Sequence, residues 1–198
     1  MSKPWAAEPT IQAALLAQLR NEAPLVRERV VRSLEPAMSE GAVASALKAM
    51  LNDPVRNVRV AAAWVMRATV DMQGHAGRDL QTMLDLEADQ PTGQFEQAML
   101  LLSRHHPDQA LVHLKKATSW DPLSPPFLCA QAQVQDQLGQ LPEALKTLDQ
   151  GAAAVPDDPH VPCARATIFA RNGRYEEARA SANRALAMQA DFQPALAL

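Results

Sequence analysis

Three alanines, Ala110, Ala144 and Ala178, stand 34 residues apart, and other columns keep the same phase. Ala98, Ala132 and Ala166 repeat it, as do Leu114, Leu148 and Ala182, then Ala117, Gly151 and Ala185, then Pro122, Pro156 and Ala190. A fixed period of this length means that one supersecondary unit recurs and that each copy buries its apolar face on the next. Inside a unit the small residues return every three or four positions, as in "GRYEEARASANRAL" (173–186). That spacing stacks them on one helix face and lets a neighbouring helix come close. The chain is therefore expected to be all-α, a right-handed solenoid of helical hairpins. An aromatic share of 4% against 47% hydrophobic residues favours helices over sheets in the same way.

The register divides residues 91–192 into 91–124, 125–158 and 159–192. Gly139 and Gly173 fall where the first helix of a hairpin must end, and Pro107 and Pro142 suit the start of the second. Gly151 is interior to a helix, which points to close helix contact. Period and pattern resemble the tetratricopeptide repeat, whose small residue in the first helix, A-x3-F motif in the second and terminal Pro serve tight packing. The motif stands here as Ala110-Leu114, Ala144-Leu148 and Ala178-Ala182. The usual Trp and Leu early in the first helix are replaced by Gln94 and Gln97, Leu128 and Gln131, Pro162 and Arg165.

The N-terminal third has another period. "LLAQLRNEAPLVRERVVRSL" (15–34) aligns without gaps on "LKAMLNDPVRNVRVAAAWVM" (47–66) at an offset of 32, so that Leu15 meets Leu47, Leu19 meets Leu51 and Val26-Arg27 meets Val58-Arg59. This resembles HEAT-like repeats over residues 1–72, with helices at 10–20 and 24–35, then 41–52 and 54–70. Residues 73–90 are expected to bridge the two regions, with a helix over 75–88. HEAT-like units carrying "DPVRNVR", a helix closing on "ADQP" (88–91) and the later repeats together resemble the haem-free C-terminal half of exported multihaem cytochrome-like proteins. Haem attachment uses C-x-x-C-H, whereas the two cysteines here sit in "CAQAQ" and "CARAT". No cofactor is expected.

A formal net charge of −3 supplies no global basic field for nucleic acid. Residues 1–72 hold nine Lys or Arg against seven Asp or Glu, and Arg27 and Arg59 are expected to pair with carboxylates of adjacent units. No apolar segment reads as a signal peptide or membrane span, which implies a cytoplasmic protein, or a periplasmic one if it is a piece of an exported chain. Cys129 and Cys163 read as inert thiols, and His160 with them is poorly spaced for zinc. His105 and His106 fall in a turn with no second ligand one helical turn on. With no nucleophile elbow, phosphate loop or catalytic carboxylate pair, no enzyme is expected.

The likeness to tetratricopeptide repeats implies a concave groove lined by the first helix of each hairpin. Phe95, Met99 and Leu102 form its apolar end, open to a peptide or covered by the 75–88 helix, while Gln133, Asp136, Gln137, Thr167 and Arg171 form its polar part. The expected role is a non-catalytic scaffold that binds a protein partner, as a peptide or helix, in this groove. Two alternatives are an accessory module of a larger redox assembly and a HEAT-type nucleic-acid binder. Only "QPALAL" (193–198) follows the third repeat, so Ala182, Leu186, Leu196 and Leu198 are expected to form an apolar edge, with a homodimer as the simplest way to cover it.

Overall fold

The computed structural model describes residues 8–197, and every regular element among them is helical. The chain divides into two units, Met1–Leu86 and Glu87–Leu198.

The first unit holds α1 (Pro9–Gln18), α2 (Pro24–Ser33), a 3-10 turn (Glu35–Ala37), α3 (Gly41–Met50), α4 (Arg56–Val65) and α5 (His75–Leu86). Two of its helices follow turns closed by a side chain: Asn21 Oδ1 accepts from the Ala23 amide and Asp53 Oδ1 from the Val55 amide, just before α2 and α4. Their inner faces bury Val31, Leu34, Val43, Leu47 and Val58 in one cluster, each side chain contributing about 2 kcal/mol. Arg27 donates to both carboxylate oxygens of Asp53 (2.8 and 2.9 Å) and to the Asn21 and Glu22 carbonyls (2.8 and 3.1 Å). Arg59 repeats the pattern on Asp79 (2.7 Å) and on the Asp53 and Pro54 carbonyls (2.8 and 3.1 Å).

Two expectations for this unit change. The helix anticipated over 54–70 stops at Val65. There Arg67 turns back, lies 5.0 Å over the Trp64 ring and donates to Glu35 and to the Trp64 carbonyl, which thus gains a second donor besides the Arg67 amide. The helix expected as a bridge, α5, packs on α4 through the Arg59–Asp79 and Arg56–Asp79 pairs and belongs to the first unit.

The second unit is a stack of three hairpins: α6 (Pro91–Ser103) with α7 (Pro107–Trp120), α8 (Pro125–Gln137) with α9 (Leu141–Ala154), and α10 (His160–Arg171) with α11 (Tyr175–Met188). A four-residue turn, α12 (Gln193–Leu196), follows. Ala98, Ala110, Ala117, Ala132, Ala144, Ala166 and Ala185 are completely buried, so the small columns are contact points between helices. A Cβ on Gly151 would stand 3.3 Å from Leu128 Cδ1 and 3.4 Å from Val161 Cγ2, which accounts for a glycine inside α9. Gly139 and Gly173 end α8 and α10 with φ of +75° and +72°. His105, 34 residues before Gly139, adopts the same left-handed backbone at φ 60° and has a Cβ to accommodate there.

Two of the departures from the repeat pattern, Gln94 and Gln131, are hydrogen-bonded across helices. Buried Gln94 donates to the Ala88 carbonyl (2.5 Å), which leaves its Oε1 to accept from His113 Nδ1 (2.9 Å). Gln131 accepts from the Thr118 hydroxyl (2.6 Å) and donates to that of Thr147 (3.4 Å), which in turn donates to Gln135 (2.8 Å). Hydrogen bonds between α7, α8 and α9 thus replace the apolar contacts that the pattern would place there.

Candidate functional site: the face of α6, α8 and α10

The first helices of the three hairpins bring part of the expected groove together. Between α8 and α10 lies a hollow of about 290 Å³, lined by Pro126, Cys129, Gln133, His160, Cys163, Ala164 and Thr167. Gln133 and Thr167 therefore share one site. Phe192 and Pro194, which sequence reasoning did not place in the groove, close its other side. The Phe192 ring meets His160 edge-on at 4.8 Å between centroids. A signal for this was present: Ala195 continues the buried column of Gly93, Phe127 and Val161 in the 34-residue phase, so the tail begins a fourth period. Phe192, Ala195, Cys163 and Ala185 form a small core with Leu186 packed against it.

The expected bare edge at this end is consequently closed in part by the tail itself. Ala182 and Leu186 are half-buried, Leu196 remains 55% exposed, and Leu198 lies outside the described residues.

Phe95, Met99 and Leu102 are half-buried around Ala98, Ala110, Leu111, Leu114 and Val134, and the Phe95 ring stands 5.0 Å from that of Phe127. This end offers an apolar surface already committed in part to packing. Asp136 accepts from Asn172 Nδ2 (2.7 Å), which ties the C-terminal end of α8 to the end of α10. Gln137 and Arg171 are exposed at those same helix ends. The polar set thus splits, with Gln133 and Thr167 in the hollow and Asp136, Gln137 and Arg171 at the far ends of α8 and α10.

The thiols in the hollow are suited to packing rather than attack. Burial pushes Cys129 up to about 12, with Asp158 and Cys163 adding to it, and burial raises Cys163 as well, so both are protonated at neutral pH. Among the described residues no three of His, Cys, Asp and Glu stand close enough to share a metal ion, and no helix is long and apolar enough to cross a membrane. In the first unit, Arg27, Arg32, Arg56, Arg59 and Arg67 are all engaged with carboxylates.

Three stacked hairpins of even period, with their first helices lining one face and small residues at every crossing, define a tetratricopeptide-type helical repeat architecture. The tetratricopeptide repeat family model matches residues 101–166, a third of the chain. Among solved structures, TTC0263, a thermophilic tetratricopeptide repeat protein of Thermus thermophilus, is 18% identical with a TM-score of 0.60, covering 88% of this chain and 96% of its own. Tom70 of yeast is 17% identical with a TM-score of 0.59 over 92% of this chain and 39% of its own. YrrB, described as a tetratricopeptide repeat protein with an unusual peptide-binding site, is 15% identical with a TM-score of 0.52, covering 93% of this chain and 96% of its own. At such identities the likeness is one of fold. No curated protein sequence matches the chain. The family match adds nothing for the HEAT-like and cytochrome-like resemblances, and no enzyme family is indicated.

Proposed function

We propose that the chain is a non-catalytic protein-binding scaffold whose second unit takes a peptide or helix along α6, α8 and α10. The observation that carries this reading is the hollow that joins Gln133 and Thr167 between α8 and α10. It has room for a side chain, and its two polar groups are placed to bond a peptide backbone while Phe95, Met99 and Leu102 offer apolar contact further along. The peptide-binding site ascribed to YrrB supports the reading by analogy. The repeat limits 91–124, 125–158 and 159–192, the HEAT-like character of residues 1–72 and a homodimer through Leu186 and Leu196 belong to the same proposal. For the HEAT-like part, the support is the 32-residue recurrence of the Arg27 and Arg59 bonds.

Selection of peptides on the whole chain from a displayed random library tests it. Binders should be lost on Thr167→Arg, which fills the hollow, and kept on Val112→Arg, which alters an exposed site on α7. Peptides that survive Thr167→Arg and Gln133→Ala unchanged would refute the groove.

A further inference from the structure

On the side of the stack formed by α9 and α11, the third hairpin lacks what the second has. In the second, Gln131 spans from Thr118 on α7 to Thr147 on α9, and Leu128 is buried on the same helix. Thirty-four residues on, those four places are held by Ala152, Arg165, Ser181 and Pro162. Arg165 pairs instead with Asp149, both of them in the wall of the gap this leaves, and the Ser181 hydroxyl donates to the Glu177 carbonyl of its own helix (2.8 Å). With no side chain spanning from α9 to α11 in their place, a hollow of about 300 Å³ opens. Its walls are mainly apolar, from Ala152, Val155, Val161, Pro162 and Met188.

The charges around it are not equivalent. Asp149 is taken by Arg165, and Asp158 accepts from the His160 amide (2.8 Å) and lies 3.1 Å from its ring. Arg184, exposed and also part of the lining, has no ion-pair partner among the described residues. Arg184 is therefore the one charged side chain of this lining with no hydrogen-bond or ion-pair partner among the described residues, while Asp158 keeps its own negative charge in the same wall. A guanidinium offers a planar fork to a carboxylate, and an apolar body of modest size gains most by leaving water.

We propose that this hollow is a binding site for a small free monocarboxylic acid with a flat apolar body, an arylalkanoic acid. The carboxylate lies on Arg184 and the ring enters between Ala152, Pro162 and Met188. The site is separate from the hollow on the peptide face, with which it shares no lining residue, although α10 contributes to both.

Titration of the full chain with indole-3-propionate, followed by amide NMR shifts, is the test. Saturation is expected below about 1 mM, with the largest shifts at Ala152, Val155 and Ser181. The neutral amide of the same acid, or Arg184→Gln with the acid, should bind about fivefold to tenfold more weakly. The variant Ala152→Thr, Arg165→Gln, Ser181→Thr rebuilds the spanning bonds of the second hairpin and should abolish the shifts. Equal affinity for acid and amide, shifts that persist in the rebuilt variant, or no saturation would overturn the assignment. Tighter binding of a short peptide ending in tryptophan than of the free acid would overturn it too, in favour of a peptide terminus.

Discussion

Asp53 serves two arginines at once: its carboxylate holds Arg27, and its backbone carbonyl accepts from Arg59 at 2.8 Å. Its side chain is only 4% exposed, so losing the carboxylate leaves a guanidinium with no opposite charge in a nearly dry site. Asp53→Ala should lower the stability of the first unit by about 3 kcal/mol. Arg56→Gln, which loosens only the more exposed pair with Asp79, should cost less than about 1 kcal/mol. Urea midpoints of the two variants decide it. The hydrogen bonds from Arg27 hold the Asp53 carboxyl below the ordinary carboxylate range, so its contribution is present at neutral pH and is lost on acidification below that range.

His113 makes stability depend on pH in a milder interval. Burial, with Lys116 nearby, depresses the imidazole below its ordinary 6.5, and the fold holds the neutral ring as a donor to Gln94. Its contribution is therefore complete above 6.5 and declines as the pH falls through the lowered value. Denaturation curves between neutral and mildly acid pH should show this decline in the wild type and a shallower one in His113→Gln. Parallel slopes would show that the ring does not titrate against folding.

The left-handed backbone at His105 is a local cost that Gly139 and Gly173 avoid in the sister hairpins. His105→Gly should stabilise the second unit by about 1 kcal/mol, and His105→Val should destabilise it by a similar amount. A thermal midpoint that moves the other way in either variant would count against it.

Ala144 is wholly buried at the crossing of α9 with α8. Adding three carbons there should cost about 1 to 3 kcal/mol in Ala144→Leu. Ala153→Leu, on the exposed side of the same helix, should stay within about 0.5 kcal/mol of the wild type. Chemical denaturation of the pair gives the comparison.

What could be read in the sequence was whatever recurs in it. The columns through Ala98, Ala110 and Ala117 mark helix contacts because three copies of each remove the ambiguity of a lone alanine. Arg27 and Arg59 pointed to carboxylate partners for the same reason, although Asp53 and Asp79 stand at different separations from them. The bonds made by Gln94 and Gln131 were not legible, because a glutamine at an apolar position does not announce a partner 19 or 16 residues away. The allegiance of α5 to the first unit was hidden as well, since an amphipathic helix reads alike whichever unit covers it. His105 was within reach: it stands in the column of Gly139 and Gly173. The hollow beside Arg184 is an empty volume, and it becomes visible only where Ala152 and Ser181 fail to fill what Thr118 and Thr147 fill one period earlier.

The even recurrence of Arg27 and Arg59 makes the first unit divisible. Excising residues 28–59 would join Arg27 to Val60, set it in the place of Arg59 and hand it Asp79 as its acid, with its carbonyl partners still five and six residues behind. A cut two residues shorter would turn everything downstream by about 200° about the helix axis and face the wrong side chains inward. A chain built this way can lengthen or shorten in nature only by whole measures, so its close descendants should differ in how many measures they keep and seldom in the length of one.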